Sequence, residues 1–132
     1  MKAIRAGEQK TSGEIRVFVE AKNRMVDPLD RAREIFYSLQ MDETEKRNAI
    51  LIYIAMKHRE VAIFGDAGIY HSEPKDFWKV TVATLINEFS HDHKVFGLIH
   101  CINVLSKALQ ETFPYDLTTD KNELPDDIVF GQ

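Results

Sequence analysis

Three stretches of the chain carry a strand's rhythm, and between them apolar residues return every three or four positions. The run from Ala49 to Ala55, AILIYIA, is apolar without a break, so it reads as a strand covered on both faces. Lys57, His58 and Arg59 make a polar turn, and EVAIFG from Glu60 to Gly65 then runs back antiparallel and ends in Gly-Asp-Ala-Gly. Upstream, in TSGEIRVFVE, Ile15, Val17 and Val19 share one face of a strand from Glu14 to Glu20. Phe18 lies on the other face between Arg16 and Glu20, and that half-polar face predicts a position near the sheet's edge.

Helical spacing fills the intervals. Asp27 followed by Pro28 marks a helix start, with Leu29, Ala32, Ile35, Phe36 and Leu39 as its apolar stripe. A second helix begins near Ser72 to Pro74 and buries Trp78, Val82, Leu85, Ile86 and Phe89. A third runs from Lys94 to Thr112 on Val95, Leu98, Ile99, Ile102, Leu105 and Leu109, and Pro114 stops it. The phenylalanines at 77, 89 and 96 read as core. Residues 2 to 10 are weakly helical and end at Thr11, Ser12 and Gly13, whereas the tail from Tyr115 is acidic and has neither period. The expectation is a single α/β domain over 1–132, a three-layer α/β/α sandwich with a mixed sheet, in which 115–132 is an acidic C-terminal arm, packed and extended or partly disordered.

Composition narrows the function classes. At 132 residues and 44% hydrophobic the chain can bury a core without disulfides. Its formal charge of −4, from 17 basic and 21 acidic residues mixed along the chain, offers no basic stripe and argues against nucleic-acid binding. Cys101 is the one cysteine, the N-terminus has no apolar core for export, and no apolar run is long enough for a membrane span. A cytoplasmic, monomeric domain is expected.

Topology turns this pattern into chemistry. A strand, a crossover helix and a second strand make a right-handed parallel pair, and the hairpin reverses the third strand. The starts of the first two strands therefore meet the end of the third. Glu14 enters the first, Arg47 and Asn48 enter the second, and Asp66 leaves the third. Two carboxylates and a carboxamide at one edge suit a hard cation, calcium or magnesium, and the turn from Gly65 to Gly68 adds backbone carbonyls. Without metal, the same edge is an ion-paired sheet end around Arg47. A competing reading makes Asp66 a turn former before glycine and Glu14 a solvated strand-end charge.

Other candidates favour structural roles. His91, Asp92 and His93 read as a helix cap with solvated rings, since a structural zinc site needs more ligands nearby. His71 reads as a local cap, His58 lies in the hairpin turn, and Cys101 falls beside the Leu98 and Ile102 stripe as a small core residue. No serine-nucleophile elbow, phosphate loop, H-E-x-x-H or G-x-G-x-x-G is present. The tail acids Glu123, Asp126 and Asp127 surround Leu124 and Pro125.

TSGEIRVFVE, DPLDRAREIF, RNAILIYIA, REVAIFGDAGI and NELPDDI, in this order, resemble the TPM domain family, especially its small stand-alone bacterial members. The resemblance covers the chain from about Ala3. It implies a Rossmann-like α/β/α sandwich and a divalent-cation site in loops at a sheet edge, matched here by Glu14, Asn48 and Asp66. Functions implied by the family diverge. They include weak acid phosphatase activity and photosystem II repair in plant relatives, and modulation of an acetylcholine receptor by an animal one. Membrane-anchored bacterial members carry segments for which this chain has no match. The expectation is therefore a cation-binding or regulatory module. The alternatives are a metal-assisted phosphatase or a ligand-free domain that binds a protein partner.

Overall fold

The computed structural model describes residues 13–23, 27–114 and, for the backbone, 128–130. The expected N-terminal helix over 2 to 10 and most of the acidic arm, including Glu123, Asp126 and Asp127, lie outside the described residues. In chain order the elements are β1 (Glu14–Glu20), α1 (Pro28–Ser38), β2 (Ala49–Ala55), β3 (Glu60–Gly65), a short α2 (Ala67–Tyr70), α3 (Lys75–Ser90), α4 (Lys94–Thr112) and β4 (Ile128–Phe130). The strands form one mixed sheet in the order β3-β2-β1-β4. β1 runs parallel to β2 and to β4, while β2 and β3 form the antiparallel hairpin.

Alternation along the strands divides the core into two layers. Ile15, Val17, Ile50, Ile52, Val61 and Ile63 face α3 and α4, where they pack with Trp78, Leu85, Ile102 and Leu105. Phe18, Leu51, Tyr53 and Ala62 face α1 and meet Ala32, Ile35, Phe36 and Met41. β2 is buried throughout because it carries apolar residues on both faces and lies between β1 and β3. α1 starts where Asp27 accepts a hydrogen bond from the Leu29 N–H at 2.9 Å and Pro28 takes the first helical position. The architecture is the expected α/β/α sandwich.

Four expectations change. β1 is an interior strand, because β4 pairs along its outer side. Its supposedly half-polar face is closed, with Arg16 and Glu20 both buried. The stretch after Asp66, expected as a turn through Gly68, forms α2. Some stripe positions face water: Leu29 and Ile86 are exposed, as are Val95, Ile99 and Phe96, the last at 81%. Spacing identified the helices but not the exact arc each one buries, because α3 and α4 also pack against each other and turn part of the apolar stripe outward.

Cys101 is buried in the α3/α4 layer, and burial pushes its thiol up to about 12. The folded state thus favours the neutral thiol. That preference contributes fully below the unfolded thiol's pKa and is lost as pH rises through about 12, so stability should decline from roughly pH 9 upward. Urea midpoints at pH 8 and pH 10.5 should fall less steeply in Cys101→Ala than in the parent chain. An aromatic disulfide reagent should label Cys101 only as the protein unfolds. Fast labelling of the native protein would contradict this packing.

Candidate functional site

The end of the sheet where β1 and β2 start gathers the residues expected there. Glu14 is the register partner of Ala49 in β2, and the Glu14 N–H donates to the Asn48 carbonyl at 3.4 Å. On the other side of β2, the Asp66 N–H donates to the Ala49 carbonyl at 2.9 Å. Glu14 and Asp66 therefore flank Ala49 in the same phase of the pleat, on the α1 side, with their Cα atoms separated by two strand spacings, about 10 Å. Ala49 is the smallest side chain that could stand between them. Asn48, one residue earlier, has the opposite phase. All three side chains are buried, at 3% exposure for Glu14, 1% for Asn48 and 2% for Asp66, so Glu14 is not the solvated strand-end charge of the simpler reading.

Asp66 has two duties. Its Oδ1 accepts from the Ala67 N–H at 2.8 Å and caps α2, which agrees with the turn-forming role anticipated for Asp before glycine. The same carboxylate takes a two-pronged ion pair from Arg47, Nε to Oδ2 at 2.7 Å and Nη2 to Oδ1 at 2.9 Å. The pairing pushes the Arg47 guanidinium above its ordinary pKa through the hydrogen bond and the charge of Asp66. About half of the Arg47 side chain remains in solvent, so the pair is open on one side.

Backbone geometry holds this arrangement. Arg47 sits at φ 51°, a left-handed conformation that bulky residues rarely adopt. Its carbonyl accepts from the Gly68 N–H at 2.8 Å, tying the entry of β2 to the first turn of α2. A Cβ at position 68 would lie 2.2 Å from the Lys46 oxygen and 2.6 Å from the Arg47 oxygen, so glycine is required by close approach. Thr44 Oγ1 accepts from the Asn48 N–H at 3.4 Å within the same loop.

A second polar cluster, at the opposite end of β1, was missed from the sequence. Arg31 donates to Glu20 through Nε at 2.9 Å and Nη2 at 3.0 Å, and the Tyr53 hydroxyl donates a short hydrogen bond to the same carboxylate. Burial, followed by the bond to Glu20, pushes the Tyr53 phenol well above its ordinary value. The signal was present in two parts. Glu20 is in phase with Phe18, whose register partner is Tyr53, and Asp27-Pro28 fixes Arg31 in the first turn of α1. With both Glu20 oxygens engaged, the cluster ties α1 to the sheet rather than offering a reactive group.

The remaining candidates do not form a site. His91 Nδ1 lies 2.8 Å from the Asn87 carbonyl and His93 pairs with Glu88 at 3.3 Å, so neither they nor Asp92 caps α4 through a side chain as expected. His58 lies 3.6 Å from Glu60 across the hairpin turn, and His71 ends α2. Among the described residues, no three or more His, Cys, Asp or Glu side chains form a metal-holding group, and no helix is long and apolar enough to cross a membrane.

Comparisons with known proteins place the fold that carries these residues. The family model described as the TPM domain matches residues 1–108. The NMR structure of BA42 protein from the psychrophilic bacterium Bizionia argentinensis superposes with a TM-score of 0.88 at 38% identity, over 98% of this chain and 88% of that one. The N-terminal domain of cg2496 protein from Corynebacterium glutamicum gives a TM-score of 0.52 at 13% identity, over 94% and 71%, a likeness of fold alone. No curated protein matches the chain.

Proposed function

Because the chain belongs to the TPM domain family, we propose that it is a divalent-cation-binding α/β domain that acts as a binding or regulatory module, with calcium or magnesium held by Glu14, Asn48 and Asp66. The observation that carries this reading is the pair of buried carboxylates, Glu14 and Asp66, in phase on either side of Ala49. The donor set fits the cation in kind: carboxylate and carboxamide oxygens, with neither thiolate nor imidazole among them. It fits in occupancy only if Arg47 withdraws from Asp66, into the solvent its half-exposed side chain already meets, and if Asn48, of opposite phase, turns toward the two carboxylates. With only two acids, affinity belongs to the weak class of such sites, about 0.1–1 mM.

Chelator-treated protein should therefore bind calcium or magnesium saturably. At thirtyfold above the dissociation constant the gain is about 2 kcal/mol, read as a higher melting temperature. The Glu14→Gln, Asp66→Asn double variant should lose this response; an unchanged affinity would remove the site from this edge. Arg47→Ala should instead bind about tenfold more tightly, because a competing cation of the same carboxylate is gone, worth about 1.4 kcal/mol. Weaker binding in Arg47→Ala would mean that Arg47 supports the site instead of competing for it.

A metal-assisted phosphatase is the second reading, and the exposed guanidinium favours it. Released from Asp66, Arg47 would present a forked donor suited to a phosphoryl group. A bound cation would supply polarisation of a phosphoryl oxygen, while Glu14 or Asp66 oriented water. Hydrolysis of p-nitrophenyl phosphate that requires cation and disappears in both Arg47→Ala and Asp66→Asn would support this reading. Saturable cation binding without turnover would leave the module.

A further inference from the structure

The outer edge of β3 combines an apolar groove with hydrogen-bonding groups that β2 does not use. Asp66 and Ala49 form a hydrogen-bonded pair, so the antiparallel register gives the same role to Phe64 with Leu51 and Ala62 with Tyr53. The N–H and C=O groups of Val61, Ile63 and Gly65 consequently point away from β2, and among the described residues β3 ends the sheet on that side. A groove of about 400 Å³ runs along this edge. Its walls are Pro28 and Leu29 from α1 on one side and Trp78, Val82 and Ile86 from α3 on the other. Leu29 and Ile86, which helical spacing marked as core, stand at its two lips at 48% and 41% exposure. Their stripes continue past the sheet edge as though another strand lay beneath them.

We propose that this edge is a strand-addition site for an extended segment of a partner protein. That surface is independent of the cation reading, which concerns the end of the sheet. The unused backbone groups dictate the occupant's conformation, since a row of outward N–H and C=O groups is matched by a β-strand. The overhang of both helices admits a bare strand, whereas a second copy of this chain would bring its own flanking helices into the same space. Charge defines the partner further. Asp27 lies on the α1 wall and Lys79 on the α3 wall, both exposed, so the segment carries apolar residues in alternation, a basic side chain toward α1 and an acidic one toward α3.

Amide exchange measured by NMR tests this directly. In the free protein, Ala62 and Phe64 should exchange slowly and Val61 and Ile63 quickly. The probe is an acetylated octapeptide alternating valine and threonine, with one lysine and one glutamate in opposite phases. Saturable binding should slow Val61 and Ile63 at least about tenfold, as new ladder bonds require. Peptide methylated at alternate amides should not do so. Ile86→Lys, at an exposed lip that leaves the core intact, should weaken the octapeptide about tenfold, the scale of an interface residue that matters. The proposal is overturned by absence of saturable binding up to millimolar peptide, or by binding that leaves Val61 and Ile63 exchange unchanged. Protection of those amides that grows with protein concentration alone would overturn it in favour of a second copy.

Discussion

Replacing Arg31 with methionine is expected to destabilise the domain by about 3–5 kcal/mol at neutral pH, because it leaves the Glu20 carboxylate buried without its cation. Glu20 is almost wholly enclosed, and the guanidinium contributes two of its bonds. A loss of this size is a large part of the roughly 5–15 kcal/mol available to a domain, and it should lower the urea midpoint by about 2 M. The pH dependence has a defined sign. Burial without the Arg31 charge disfavours the Glu20 carboxylate in the variant and raises its pKa above the unfolded value of about 4.3, so the neutral acid gains as the folded form. The deficit against the parent is then full at pH 7 and shrinks as pH falls toward 4.3. Removing the three groups should cost less than removing one: Glu20→Leu, Arg31→Met and Tyr53→Phe together leave none of these three side chains orphaned by the others, and most of the stability should return. A single variant within 1 kcal/mol of the parent at pH 7 would show that Glu20 does not depend on Arg31.

That network also marks the limit of what the sequence conveyed. The strands and main helices were legible because β2 is apolar on both faces, the hairpin has a polar turn and Asp27-Pro28 caps α1. Convergence of Glu14, Asn48 and Asp66 at one end followed from strand direction alone, and so did the conditional ion pair around Arg47. Glu20 read only as part of a half-polar face near an edge, because alternation reports the phase of a side chain and not what covers it. The cover comes from α1, and the interior position of β1 comes from β4, whose three residues are too few for a period to register. Phe96 and Ile86 failed in the opposite direction, since a helical stripe records apolar residues without saying whether this chain supplies their partner.

Gly68 is where the backbone itself decides the outcome, and Gly68→Ala is expected to cost about 3 kcal/mol, the upper part of the overpacking range. Cβ atoms usually meet side chains that can move aside, but here the nearest atoms are the Lys46 and Arg47 carbonyl oxygens, at 2.2 Å and 2.6 Å. Relief requires α2 and the entry of β2 to separate. The Arg47 turn, already left-handed at φ 51°, can give little, and separation lengthens the 2.8 Å bond from the position-68 amide to the Arg47 carbonyl. Asn48 enters with β2 and Asp66 caps α2, so these two proposed ligands part with the segments that carry them. The variant should therefore show faster exchange at the position-68 amide, a urea midpoint lowered by more than 1 M on the usual slope, and a weakened calcium response. Loss of cation response with unaltered stability would assign Gly68 to the ligand shell itself. A stability loss under 1 kcal/mol with the amide still protected would show that the two segments yield without strain, and that the carboxylate end of the sheet is less rigid than its close contacts require.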